Sequence, residues 1–315
     1  MNLAVRNDGL ISVALCTYNG AQYIQEQLQS IVDQTYRNLE IVICDDNSQD
    51  QTVDIIAGFQ RTDSRIKLYR NDINIGFVQN FKQALSLCNG ALIALADQDD
   101  IWVDIKIQTL ASEIGDSWLI YSAVGVIDQH GLPLDRRFPK VHRLQGACAL
   151  ALMLGNSVTG HASLMRRELR DLALPDMDQM PYHDQWLGMV AAAHGRLKAS
   201  PDRLSLYRLH QNNTVLSRKV RSSASRYARA KNAIERKIEF FSAVVSAKAL
   251  SSADQELAVE FLDLYRLNLK SVFNWRLRQF LRKNKGTFMA AYKDPDKQIR
   301  KLSRGVYYYV LLPFS

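Results

Sequence analysis

Over its first hundred residues the chain alternates short aliphatic, β-branched runs with amphipathic stretches, and this alternation constrains the fold more than any other feature. It is the pattern of βαβ units, whose strands lie parallel in one sheet with helices on its faces. Residues 11–15, 39–44, 66–69 and 91–96 read as strands. Between them, residues 21–33 gather Tyr23, Ile24, Leu28, Ile31 and Val32 on one helical face; a second helix carries Val53, Ile55, Ile56 and Phe59, and residues 77–87 form a third. Further along, 118–127 and 204–209 read as strands and 184–193 as a helix. The expected fold class is α/β, a mostly parallel sheet flanked by helices.

Polar clusters close three of these strands: Thr17-Tyr18-Asn19, Asp45-Asp46 and Asp97-Gln98-Asp99-Asp100. Ligands of open α/β sheets sit beyond the carboxyl ends of the strands, so one crevice can collect all three. Three carboxylates in four residues repel one another unless a cation or water offsets them, and oxygen-rich clusters suit Mg²⁺ or Mn²⁺. The alternative is a solvated loop capping a helix that begins near Val103. The metal reading is preferred because the other clusters end neighbouring strands. Asp45-Asp46 can accept hydrogen bonds from a ribose or a base, and it equally suits the N-terminus of the following helix. There is no G-x-G-x-x-G after the first strand and no G-x-x-x-x-G-K-[ST], which argues against a dinucleotide fold and a P-loop.

Val13-Ala14-Leu15-Cys16-Thr17-Tyr18-Asn19 resembles the first nucleotide-binding strand of a family 2 glycosyltransferase of the GT-A fold. Cys44-Asp45-Asp46-Asn47-Ser48-Gln49-Asp50 resembles that family's D-D-x-S-x-D turn, Asn74-Ile75-Gly76-Phe77-Val78-Gln79-Asn80 its N-x-G-x-x-x-N stretch, and Asp97-Gln98-Asp99 its D-x-D motif. The four come in order over roughly residues 8–215. Asp97 to Trp102, and Tyr207 to Asn213, are especially similar to bacterial rhamnosyltransferase-type members.

The resemblance implies a Rossmann-like GT-A sheet in which Thr17, Tyr18, Asn19 and Asn80 belong to the nucleotide-sugar site and Asp46 meets the base. Asp97 and Gln98 then lie near the ribose, and Asp99 binds the Mn²⁺ or Mg²⁺ that bridges the diphosphate. It implies an acidic base on the acceptor side, where Tyr182-His183-Asp184-Gln185-Trp186 fits, with Asp184 as base or, on the other reading, a helix-capping Asp. Many members show Glu-Asp where this chain has His183-Asp184. His183 and Trp186 are candidates for lining an acceptor pocket, and His161 and His210 for facing the acceptor and the diphosphate. Lys198, Arg203 and Arg208 read as surface charges.

The implied activity is inverting transfer of a sugar from a nucleotide-diphosphate donor, dTDP-rhamnose or a UDP-sugar, to a hydroxyl of a growing lipid-linked surface polysaccharide such as an O-antigen. A sugar nucleotidyltransferase would show a Gly- and Lys-rich phosphate loop after the first strand, and Cys16-Thr17-Tyr18-Asn19 is not one. A non-catalytic nucleotide-sugar-binding protein would lack Asp99 or Asp184.

The net charge of +8 conceals an asymmetry: residues 1–214 carry 19 basic and 24 acidic side chains, residues 215–315 carry 21 and 8. The second part reads as basic helices over 226–249 and 254–280, with no strand candidate. Domains are expected at 1–220 (catalytic) and 221–315 (helical), with the boundary near 216–225. Phe240, Phe241, Tyr265, Phe273, Trp275 and Phe280 stand among its Arg and Lys. Two readings stay open: a peripheral contact with anionic membrane, or an appendage that packs its apolar stripe on the catalytic domain. Nucleic acid is not an expected partner, since no reading module accompanies the charge. Cys16, Cys44, Cys88 and Cys148 form no C-x-x-C pair and read as reduced, buried thiols. No apolar run reaches the roughly 18 residues of a spanning helix, and the stretch before Cys16 is too short and acidic for a secretory signal. A cytoplasmic protein, at most peripheral on the inner face of the membrane, is the expectation.

Overall fold

A computed structural model describes residues 9–211, 213, 225–247 and 250–308. The expected boundary at 216–225 lies outside the described residues except for Ser225. The first half follows the βαβ pattern: β1 (Ile11–Thr17), α1 (Ile24–Val32), β2 (Leu39–Asp45), α2 (Thr52–Gln60), β3 (Ile66–Arg70), α3 (Phe77–Leu87) and β4 (Leu92–Asp97). Then come β5 (Ile101–Trp102), α4 (Lys106–Glu113), β6 (Leu119–Ile127), α5 (Ala149–Leu154), β7 (Ser163–Arg166), α6 (Arg167–Ala173), α7 (His183–Ala193) and β8 (Leu197–Arg208). Among the described residues five α-helices follow: α8 (Arg226–Ser246), α9 (Ser252–Arg266), α10 (Trp275–Lys283), α11 (Lys285–Met289) and α12 (Pro295–Leu302).

The eight strands form one sheet in the order β3-β2-β1-β4-β7-β6-β8-β5. β1 runs parallel to β2 and β4, and β2 to β3. β7 enters antiparallel to both β4 and β6, and β5 antiparallel to β8, so the sheet is mixed. β1 and β2 are buried along their whole length because the sheet is covered on both faces. Alternate side chains feed two cores. Val13, Leu15, Ile41 and Ile43 meet α1, α2 and α4 on one face, while Ala14, Cys16, Val42 and Cys44 meet α3, α5 and α7 on the other. The strand order turns between β1 and β4, which makes their carboxyl ends the topological switch point.

Two expectations need correction. The helix placed near Val103 starts at Lys106, because Ile101-Trp102 pairs with Leu206 and Ser205 of β8. The run 254–280 is not one helix: buried Asn274 donates to Leu264 O (2.7 Å) and buried Asn268 to Leu302 O (2.9 Å), and the chain turns between them.

The C-terminal helices extend the second core. Phe261, Leu281, Phe288, Met289 and Val306 belong to the same buried cluster as Ala14 and Leu95 of the sheet. The His142 backbone N–H donates to Ala291 O (2.8 Å), and the Tyr292 hydroxyl donates to Leu154 O at the end of α5. Packing therefore takes most of the region's apolar stripe, with Phe241, Tyr265 and Phe280 buried and Trp275 left exposed. All four cysteines are free thiols, three of them buried. Among the described residues no helix is long and apolar enough to cross a membrane.

Candidate active site

Thr17, the last residue of β1, stands beside Asp45 in register. Its hydroxyl donates to Asp45 Oδ1 (2.9 Å), and the Ser48 hydroxyl and backbone N–H donate to the same carboxylate at 2.5 and 2.8 Å. Asn19 adopts a left-handed φ of 47°, which Asn tolerates better than most side chains. Its N–H donates to Ser48 Oγ (2.8 Å), and its Oδ1 accepts from Gln49 N (2.9 Å). Gln98 cross-pairs with Tyr18, accepting from its N–H (2.8 Å) and donating to its carbonyl (3.1 Å). These bonds tie the three polar clusters into one site.

Asp46 is buried, and the loop before α3 folds around it. Its Oδ1 accepts from Ile75 N (2.8 Å) and Asn71 Nδ2 (3.0 Å), its Oδ2 from Gly76 N (2.9 Å). Gly76 has a φ of 85°, which a side chain would resist. Asn80 is also buried, donating to Cys44 O (2.8 Å) and accepting from Asn71 (3.1 Å). Asn80 therefore shapes this corner from beneath.

In the acidic loop Asp97 and Asp99 are partly exposed, whereas Asp100 is fully buried. Asp100 Oδ1 accepts from Arg208 N (2.9 Å), and its Oδ2 lies 2.9 Å from His161 Nδ1. Asp99 Oδ2 lies 2.8 Å from His210 Nε2. Arg208 is not a surface charge: it is 2% exposed, donates through Nε to Asp99 O (2.8 Å) and through Nη2 to Glu26 Oε2 (2.5 Å), and lies over the Tyr23 ring. Lys106, fully buried under the loop, donates to His161 O (2.5 Å).

Burial, reinforced by the charges of Asp100, Asp99 and Asp184 and opposed by His161, pushes Asp97 up to about 8. Burial raises Asp99 as well, against the hydrogen bond from His210. Burial pulls Lys106 well down, against the charges of Asp100 and Asp97. Burial lowers His161, but Asp100 and then Asp97 outweigh it and the net shift is upward. The upward shifts of Asp97 and Asp99 show that burial and the mutual repulsion of the loop's carboxylates are only partly offset by the neighbouring His161, His210 and Arg208. Among the described residues no three His, Cys, Asp or Glu side chains could hold an ion by themselves. A site of one carboxylate and one imidazole, completed by phosphate and water, fits Mn²⁺ or Mg²⁺, which share their shell with a diphosphate. Asp99 and His210 are the side chains that could contribute to such a site.

On the acceptor side Asp184 opens α7. Its Oδ1 accepts from Gln185 N (2.6 Å) and Asn156 Nδ2 (3.3 Å), and burial, outweighing these bonds, raises it to about 6. Gly160 lets this turn close, since a Cβ there would sit 3.1 Å from His183 Nε2 and 3.3 Å from Asp184 Cβ. His183 stacks on Phe81 with ring centroids 3.9 Å apart, and burial pulls it down to about 3, so the ring is neutral and packed. Trp186 does not line a pocket: it is fully buried and donates from Nε1 to Ala173 O (2.8 Å). His161 is buried against the acidic loop.

The structure thus groups Thr17, Tyr18, Asn19, Asp46, Asn80 and Gln98 at one corner, Asp97, Asp99, His161 and His210 at the loop, and Asp184 near enough to act on the Asp97 charge. Asn156, Gly160, Lys106, Arg208 and Glu26 had no assigned site role in the sequence reading. Asn156 falls in the 156–160 stretch, whose Asn, Ser and Gly signal a loop, but its Asp184 partner is 28 residues away.

The family model described as Glycosyl transferase family 2 matches residues 12–172. An uncharacterized glycosyltransferase of Haemophilus influenzae is 30% identical over 225 residues, covering 67% of this chain and 68% of its own. The UDP-Glc:alpha-D-GlcNAc-diphosphoundecaprenol beta-1,3-glucosyltransferase WfgD of Escherichia coli is 37% identical over 102 residues, 32% of this chain and 40% of its own. Among solved structures, TarS of S. aureus in complex with UDP-GlcNAc superposes with a TM-score of 0.58 at 18% identity, over 93% of this chain and 83% of that one. The mannosyltransferase PcManGT of Pyrobaculum calidifontis in complex with GDP-Man and Mn²⁺ gives 0.53 at 14% identity, over 98% and 88%. These two likenesses show the fold, and the family model and the Haemophilus relative show the lineage: the chain belongs to glycosyl transferase family 2 and has the GT-A fold.

Proposed function

We propose that the chain is an inverting, metal-dependent glycosyltransferase that moves a sugar from a nucleoside-diphosphate donor to a hydroxyl of a lipid-linked saccharide in surface polysaccharide assembly. The observation that carries this reading is the gathering of three strand-end clusters into one site, with Asp99 beside His210 (2.8 Å) in the acidic loop and the buried carboxylate of Asp184 close enough to act on Asp97. Thr17, Tyr18, Asn19 and Asp46 hold the nucleotide, with one acceptor position on Asp46 Oδ2 left for a base N–H. Asp99 and His210 would hold Mn²⁺ or Mg²⁺, which as a Lewis acid offsets the charge that grows on the leaving diphosphate. Asp184 takes the proton of the acceptor hydroxyl, and the amides of Gln185 and Asn156, both bonded to its Oδ1, orient the carboxylate that does so. One base acting in a single displacement inverts the anomeric carbon.

The donor class comprises dTDP-rhamnose, suggested by Asp97 to Trp102, and UDP-sugars, which are named for WfgD and bound in TarS. The lipid-linked acceptor is supported by WfgD, whose name specifies a diphosphoundecaprenol-linked sugar. The test is transfer from dTDP-rhamnose, UDP-glucose and UDP-N-acetylglucosamine to a polyprenyl-diphosphate saccharide, with Mn²⁺ or with chelator, and assignment of the product anomer. Transfer that persists fully in chelator, or that survives Asp99→Ala, would sink the metal assignment, and retention of anomeric configuration would sink the single-displacement reading.

A further inference from the structure

The positive charge of the C-terminal helices is segregated. Residues 271–304 carry ten basic and two acidic side chains, whereas α9 carries four acidic and one basic. α10 and α12 pack on each other. Each turns a buried stripe inward, Leu277, Phe280 and Leu281 on α10 and Ile299 and Leu302 on α12. Arg276, Arg282, Lys283, Lys297, Arg300 and Lys301 are left exposed.

An aromatic ridge continues this basic face. Trp275, at the start of α10, is 62% exposed, the most of any large aromatic in the described chain. It stacks on Phe273 (centroids 5.8 Å apart), which meets Tyr308 edge-on at 5.5 Å. Arg278 lies 5.1 Å from the centre of the Trp275 ring and Arg304 4.5 Å from that of Tyr308. An isolated exposed Trp needs no explanation, but one braced by two rings and two guanidinium groups beside six exposed cations marks an interaction surface. Of the other aromatics of the region, Phe241, Phe261, Tyr265 and Phe288 are buried and Tyr307 is exposed.

We propose that this ridge is a lipid-docking surface: Trp275 sits among the headgroups of an anionic membrane while the exposed faces of α10 and α12 meet its phosphates. Charge complementarity supplies attraction, and Trp prefers the polar–apolar boundary that a bilayer offers. A single-stranded nucleic acid would be met by a succession of exposed rings along a groove, whereas among the described residues of this region Trp275 and Tyr307 are the exposed rings. The proposal deepens the functional reading and rests on its lipid-linked acceptor, because the unit that bears the ridge is fastened to the acceptor side. The Tyr292 hydroxyl donates to Leu154 O, two residues before Asn156, whose amide donates to Asp184.

The test uses the full chain and sedimentation with phosphatidylcholine vesicles that contain or lack phosphatidylglycerol. Binding is expected only with the anionic lipid, weakening as salt rises and leaving a salt-resistant remainder. Replacing Arg276, Arg282 and Lys283 by Gln should weaken low-salt binding about a hundredfold, and Trp275→Ala should remove the remainder. Both variants should keep the wild-type unfolding midpoint and wild-type hydrolysis of a soluble sugar nucleotide. Equal binding to both vesicle types, no binding at low salt, or capture by single-stranded DNA with vesicles ignored would each overturn the proposal. Transfer to a soluble saccharide and not to a lipid-linked one, with vesicle binding intact, would remove the acceptor reading and leave the ridge standing.

Discussion

At the residue scale the proposed base, Asp184, and the packed residues His183 and Trp186 beside it differ in their surroundings. A carboxylate raised to about 6 is protonated below that pH, and the protonated form cannot accept a proton. Turnover should therefore rise with pH through about 6 and fall roughly tenfold for each unit below it, while donor binding stays level. Asp184→Asn keeps shape and hydrogen-bonding capacity, and should lower turnover by roughly 10²–10⁴-fold with donor affinity little changed. Loss of donor affinity in step with turnover would make Asp184 a structural residue. Asp184 was singled out in the sequence by the string that surrounds it, and the structure shows it buried and hydrogen-bonded at the start of α7. Trp186 was not, because α7 is buried on nearly every side and no polar face separates core from site. Arg208 was misread for another reason: its partners Glu26, Asp99 and Asp100 lie more than a hundred residues away in sequence, and local pattern carries no trace of them.

At the scale of elements, the strands that build the nucleotide corner were legible because their residues are buried on both faces and so read as continuous apolar runs. β7 is four residues long and β5 two, too short for periodicity to register, and with them went the mixed character of the sheet. One polar residue inside this apolar frame does structural work at the opposite edge from the site. Glu40 of β2 accepts from Ser12 Oγ and Asn89 N, both at 2.5 Å, and from Lys67 Nζ at 3.1 Å, joining β1, β2, β3 and the turn into β4. Burial alone would raise its pKa, but these bonds prevail and lower it from 4.5 to about 2. A depressed carboxylate stabilises the fold above its unfolded pKa, and that stability is lost as pH falls toward the folded value. The contribution is on the order of 3 kcal/mol at neutral pH, from a shift of this size at about 1.4 kcal/mol per unit. Glu40→Gln should lower the unfolding midpoint at pH 7 and flatten the stability profile between pH 4.5 and 2. An unchanged profile would show that another carboxylate carries the acid transition.

At the scale of the whole molecule, the question is whether the basic helices are an attachment or part of the fold. The charge step near residue 214 was visible in composition, and a boundary there follows naturally from it. Composition could not reveal that the apolar stripes of α9, α10 and α11 would share a core with the sheet, because such contacts pair residues more than a hundred positions apart. Phe288 is the sharpest probe: it is fully buried, packs against Phe261 and Phe280, and has been given no part in catalysis. Phe288→Ala should cost about 3–5 kcal/mol through lost burial and the cavity it leaves. If the core is one unit, the loss appears as a single unfolding transition at lower temperature, and a saturating sugar nucleotide raises the midpoint of the whole transition. Two resolved transitions, with only the nucleotide-responsive one unmoved by Phe288→Ala, would instead establish the helices as a separate domain. The same reasoning sets the outcome of truncation. Ending the chain near Ser225 removes the C-terminal helices that pack on α5, whose residues Ala149–Met153 are buried in the whole chain. The shortened protein is expected to aggregate, whereas a soluble product that hydrolyses its donor at the full-length rate would show that the sheet and its seven flanking helices fold without the rest.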